Sequence, residues 1–293
     1  MSQLAAPIAT RAGERRFPVI ALVLLVPMAI INLVAFILPV FRLGQISFME
    51  SRSGGVLTGN YSLESYTGFL TDSFNLELIG NSLLLSLSVT LITLCCAYPI
   101  ALFLHRVSPA WRNLLFVVTV SPLLVSSVVR TYGWMVILGD QGVVNGLLMS
   151  GGLISQPIRL VNNWLGVTIG LVEVLIPYMA LSLIAGFGRL DVHLEEAAAS
   201  LGANAWTRFR RVVFPLTLPG VALGCLLCFV LAISSFITPK LLGGGRVFLL
   251  ATEIYDQAVI QLEWPKAAAT SVIVLVIFGL ALALYSRVVR RFE

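Results

Sequence analysis

Two formally charged side chains, Arg130 and Glu173, lie deep inside long apolar runs of this chain. An ionisable group at membrane depth costs on the order of several kcal/mol unless it is paired or wet, which makes each a candidate for function. Arg130 stands nine residues before Gly139 at one end of its run, and Glu173 nine residues after Trp164 at the start of the next. At about 1.5 Å per helical residue, both sit roughly 13 Å below the same surface. Consecutive antiparallel helices tend to be neighbours, so one reading is an ion pair inside a bundle. The other has one or both lining a wet path on which Glu173 meets a cation, and a pair that gates a path satisfies both. Tyr132 and Trp134, close to Arg130, offer the aromatic faces that a cation favours. The competing reading for them is the aromatic belt at a membrane interface, which Trp134, near the end of its run, fits well.

Other chemistries find no support. Cys225 and Cys228 have CxxC spacing, but no second pair and no nearby histidines accompany them, and Cys95 and Cys96 also fall in an apolar run; small side chains in helix packing are the better reading. His105 and His193 are far apart, with no HExxH, and no nucleophile–base arrangement is present. There is no GxxxxGK[ST] phosphate loop, so ATP hydrolysis by P-loop chemistry would need a partner.

The elements that position these residues follow from composition. Of 293 residues, 58% are hydrophobic and 11% charged, against about 25% charged in soluble domains, so the expected class is an all-α polytopic membrane protein. Six spans are expected: 17 to about 41, about 78–104, 113 to about 138 with Pro122 inside, 164 to about 187 with Pro177 inside, about 216–238, and about 267–285. The first is too long for a secretory h-region and lacks a small-x-small cleavage site, so it reads as an uncleaved span. Residues 42–77 form a polar stretch expected to hold a short helix, and 239–245, with Gly243 to Gly245, a flexible loop. Six spans place both termini on one side. Lysines and arginines number 12 on that side against 6 opposite, so the termini are expected to be cytoplasmic. The formal net charge of +5 is then topology, not a nucleic-acid patch. The opposite loops hold eight acidic residues against those six basic ones, a slight lean toward a cationic solute.

Between the fourth and fifth spans lies DVHLEEAAASLGANAWTRFRRVVFPLTLPG, from Asp191 to Gly220. Leu194, Ala197, Ala198 and Leu201 fall at i, i+3, i+4 and i+7, a narrow stripe made mostly of methyl groups. Glu195, Glu196 and Ser200 look away from it, Asp191 is suited to cap the helix, and Gly202 and Asn204 tolerate the positive φ at which it must stop. A second run puts Trp206, Phe209 and Val213 on one face with Arg208 and Arg211 off it, and Pro215 leads into the next span. Methyl groups allow close approach but little grip, at about 0.8 kcal/mol per buried CH₂. Fit would come from shape, with the glutamates and arginines setting orientation. An ordinary connector rich in good helix formers is the plainer alternative.

Glu196, Ala197, Ala198, Gly202, Val212, Phe214 and Pro215, at these spacings, resemble the EAA loop of permease subunits in binding-protein-dependent ABC importers, with Val212 and Phe214 in place of the family's Ile and Leu. The segments around Arg130, Thr131, Tyr132, Trp134 and Asn145, and around Thr238, Pro239 and Gly243, resemble spermidine/putrescine-type permeases, whose relatives carry opines, other amines, amino acids or ferric iron. The resemblance implies a type I ABC importer permease fold in the bacterial inner membrane. It divides the chain into a cytoplasmic segment at 1–17, a transmembrane domain at 18–289 with the coupling loop at 188–215, and a tail at 290–293. Glu195, Glu196, Ala197, Ala198, Leu201, Gly202 and Pro215 would serve ATPase coupling, and Arg130, Tyr132, Trp134 and Glu173 a translocation path. The implied partners are a cytoplasmic ATPase dimer carrying the ATP and Mg²⁺, a second homologous permease, a periplasmic solute-binding protein and the lipid bilayer. No cofactor, metal or nucleic acid is expected on this chain. A stand-alone secondary transporter is the rival, but the related second half with a matched broken helix that it calls for is not seen.

Overall fold

The computed structural model describes residues 19–52, 56–188 and 190–289; the expectations for 1–17 and 290–293 lie outside them. The first apolar run forms α1 (Val19–Asn32), a π turn (Leu33–Ile37) and α2 (Leu38–Ile46). From Leu25 to Ile46 it has none of its apolar window buried, so it stands at the rim of the molecule.

The polar stretch that follows holds more than the expected short helix. Strands β1 (Met49–Arg52) and β2 (Val56–Tyr61) pair antiparallel, Met49 opposite Tyr61, before α3 (Glu64–Thr71). The hairpin was missed because Gly59, at φ +79°, interrupts the alternation that marks a strand. The Tyr66 hydroxyl donates to Ser47 Oγ at 2.8 Å and fastens α3 back to the end of α2.

Among the described residues, five helices are long and apolar enough to cross a membrane, and a sixth crossing is available from a bent pair. α4 (Ser73–Arg106) runs unbroken through Pro99. The expected third span is the bent one: α5 (Pro109–Val120) and a 3₁₀ turn (Ser121–Leu124) precede α6 (Ser127–Leu138), and the axis turns by 97°. Pro122 sits in the first turn of the 3₁₀ piece, and Val125 and Ser126 then adopt extended ψ of 135° and 133°. A proline removes a ladder donor and clashes with the preceding turn, so the helix restarts in a new direction.

α7 (Val143–Ser150) and a loop lead to α8 (Trp164–Phe187), the centre of the molecule. α8 packs on α4 and on α11 (Phe214–Ile233) around a core that includes Leu85, Val89, Leu171, Met179 and Leu183. The α8–α11 contact is backbone on backbone: a Cβ at Gly186 would lie 2.7 Å from Gly220 Cα, and one at Gly220 equally close to Gly186 Cα. Small residues permit such packing where lipid supplies no hydrophobic drive between helices.

The fifth span ends earlier than expected, at Ile233, and 237–242 form a separate helix, α12 (Ile237–Leu242), against α6 and α8. Pro239 and Lys240 therefore belong to a helix rather than a flexible loop, with Lys240 Nζ 2.6 Å from Asp256 Oδ1. α13 (Leu250–Tyr255) carries Glu253, whose carboxyl is pushed above the usual range by burial and further by neighbouring Asp256. α14 (Trp264–Val289) completes the described chain.

Candidate functional site

The loop from 191 to 213 folds as its local signals direct. The Asp191 carboxylate accepts the His193 backbone N–H at 3.0 Å and opens α9 (Val192–Ser200). Gly202 closes it at φ +82°, with its N–H on Ala199 O and that of Ala203 on Ala198 O, a left-handed stop that costs glycine little. Asn204 Oδ1 then accepts the Thr207 N–H at 2.8 Å and starts α10 (Ala205–Arg208). Pro215 stands in the first turn of α11, as expected of the residue that leads into the next span, and α10 passes through a π turn (Phe209–Val213) straight into it. Phe214 N–H bonds Phe209 O, five residues back, and this wider turn makes room for the proline ring.

The methyl stripe faces outward. Leu201 is 89% exposed and Leu194 46%, Ala197 is exposed and Ala198 half-buried. Beside it runs a groove of about 450 Å³ whose walls include Ala198, Leu201, Gly202, Thr207, Arg208 and Arg211. Arg208 Nε is buried there without a hydrogen-bond partner. Trp206 and Val213, expected on one face, divide, with Trp206 67% exposed and Val213 fully buried.

The two glutamates part company. Glu196 is 69% exposed, with His193 Nδ1 at 3.4 Å. Glu195 turns inward and accepts from the Arg106 guanidinium at 2.8 Å, its side chain 16% exposed, so it orients α9 on this protein's own spans. Arg106 had no signal in the sequence beyond its place at the end of α4. Beneath this strut, Tyr98 of α4 shares a 3.0 Å hydrogen bond with Thr217 of α11 and stacks edge-on against Phe187 and Phe209. α9 is thus fastened to the helices that form the core.

In the interior, Arg130 Nη1 donates to Glu173 Oε1 at 3.1 Å, the side chains 12% and 25% exposed. The equal depth read from the sequence brings them together despite the bend. Arg130 Nε and Glu173 Oε2 remain buried without hydrogen-bond partners. Glu173, Trp134 and Trp164 border an apolar groove of about 760 Å³ together with Ile92, Leu165 and Thr168. Trp164 carries no sequence signal beyond opening its span, and the structure places it on the same groove as Trp134. Tyr132 stands apart, 54% exposed and outside that groove.

The remaining residues of the two matched segments hold the architecture. The Thr131 and Thr238 hydroxyls lie 3.3 Å apart and join α6 to α12. Fully buried Asn145 donates to Gly139 O and Ile158 O and accepts the Ile158 N–H. At Gly243 a Cβ would collide with Pro239 O.

Residues 17–293 match the family described as binding-protein-dependent transport system inner membrane component. The spermidine/putrescine transport system permease protein PotB of Haemophilus influenzae is 36% identical over 242 residues, covering 83% of this chain and 84% of that protein. PotB of Escherichia coli is 35% identical over 259 residues, 88% of this chain and 94% of that one. Among solved structures, a bacterial alginate ABC transporter in complex with an alginate pentasaccharide-bound periplasmic protein superposes at a TM-score of 0.76 over 93% of this chain and 94% of that one, with 18% identity. The chain belongs to the family of binding-protein-dependent inner-membrane transport components: it is a multi-pass ABC importer permease subunit, not an enzyme.

Proposed function

We propose that this permease forms half of a path for a polyamine-like cation and takes its drive from a cytoplasmic ATPase through α9. The observation that carries the coupling is the outward methyl stripe of α9, bordered by the Arg208–Arg211 groove and fastened to the spans through Glu195 and Arg106. A stripe with Leu201 almost wholly exposed is apolar surface waiting for a partner. Glu196, Ala197, Ala198, Leu201 and Gly202 present the docking face, Pro215 opens α11 and carries the loop into the span, and the ATPase dimer holds the ATP and Mg²⁺. A second homologous permease supplies the other half of the path, and a periplasmic binding protein delivers the solute. This puts both termini and the 188–215 loop in the cytoplasm, within the segment boundaries 1–17, 18–289 and 290–293.

For the solute, the similarity to the spermidine/putrescine permeases agrees with a carboxylate, Glu173, set beside Trp134 and Trp164. Indole faces and a carboxylate suit an ammonium group. Arg130, by pairing with Glu173, keeps the carboxylate occupied until the cation displaces it. The coupling test is a pair of variants, Gly202→Asp and Glu196→Lys. Both insert normally and abolish stimulation of the ATPase by the loaded binding protein; unchanged stimulation in both removes the assignment. Competition with labelled polyamines, opines, amino acids and ferric iron at the binding protein decides the solute.

A further inference from the structure

We propose a second site, for the phosphate of an anionic phospholipid, in a cavity of about 350 Å³ at the coupling-loop end of α4, α5 and α8. Its lining combines the polar His105, Arg112 and Asn113 with the apolar Leu104, Phe116 and Phe187, and the His105 ring lies 5.7 Å from that of Phe187, centroid to centroid. The polar lining is unspent. His105 Nε2 is buried with no hydrogen-bond partner, and among the described residues Arg112 forms no ion pair, whereas Arg106 on the same connector is taken up by Glu195. Among the described residues no carboxylate lines the cavity. α5, twelve residues long, starts here at Pro109 with no side-chain cap, so the positive end of its dipole lies beside the cavity.

A guanidinium, an imidazole and an amide together recognise a phosphate oxyanion. The apolar lining distinguishes a lipid from a free anion. Phe116 is 38% exposed and continues into the outward face of α5, where Val117 is 61% exposed, a wall suited to an acyl chain. Trp111, 61% exposed one residue before Arg112, is the kind of side chain that marks headgroup depth. Basic pockets between spans at this level hold anionic headgroups.

The test is native mass spectrometry of the purified full-length chain with added phosphatidylglycerol or zwitterionic phosphatidylcholine. The wild type retains phosphatidylglycerol at about fivefold to tenfold lower lipid concentration. Arg112→Glu loses that preference and Arg112→Lys keeps it, with detergent size-exclusion profiles verifying that both fold. Asn113→Asp, which adds a negative charge to the lining, weakens the preference and stands in should Arg112→Glu fail to fold. Equal retention of the two lipids by the wild type overturns the proposal, as does an unchanged preference in Arg112→Glu. Displacement of the phospholipid by inorganic phosphate at the lipid's own concentration would make this a free-phosphate site and contradict the lipid assignment.

Discussion

At the scale of single residues, two ion pairs of different kinds carry the account. Arg106–Glu195 is half in solvent, with Arg106 51% exposed, and such pairs contribute only about 0–1 kcal/mol. Its value is positional. Arg106→Glu or Glu195→Arg is expected to leave thermal stability in detergent nearly unchanged while cutting binding-protein-stimulated ATPase activity several-fold, and the double exchange restores it. Failure of the double variant to recover would show that the pair does not position α9. Arg130–Glu173 is largely buried, and removing one partner of a buried pair costs about 3–5 kcal/mol. Glu173→Gln should therefore lower both thermal stability and solute uptake. Replacing both residues, as Arg130→Met with Glu173→Leu, should recover most of the stability without recovering uptake; if uptake returns too, the pair is purely structural.

At the scale of elements, the crossing of α8 and α11 depends on the absence of side chains at Gly186 and Gly220. Gly220→Val forces the two backbones apart at a cost of about 1–3 kcal/mol or more and should reduce the folded fraction on size exclusion. Gly80→Ala, with nothing within 4 Å of the added methyl, should leave it unchanged. Most helices were legible in the sequence because apolar runs between polar punctuation are a long-range signal, and the caps at Asp191 and Gly202 are strong local ones, whereas Asn204, expected at the stop of α9, has φ −71° and caps the start of α10 instead. What escaped depends on geometry: the 97° turn before Ser127 and the wide turn before Pro215 are two different outcomes for a proline in an apolar helix, decided by what packs around it. The inward turn of Glu195 onto Arg106 and the placing of Trp164 and Trp134 on one groove are tertiary contacts that residue type does not carry, whereas Arg130 and Glu173 could be matched by depth.

At the scale of the whole molecule, a rigid core of α4, α8 and α11 joins an interior ion pair beside an aromatic groove to an exterior knob at one end. Movement of that knob by a partner would reach the groove as rigid-body motion of the core. The first apolar helix and the α5 face leave broad apolar surfaces exposed, as a bilayer-embedded chain requires. The most direct measurement is disulfide crosslinking from Ala197→Cys and Leu201→Cys, in a background with Cys95, Cys96, Cys225 and Cys228 replaced. In a reconstituted assembly whose ATP hydrolysis responds to the loaded binding protein, both positions are predicted to crosslink to cysteines in the ATPase groove. An assembly that hydrolyses ATP in this way while neither position ever reaches the ATPase would contradict the account.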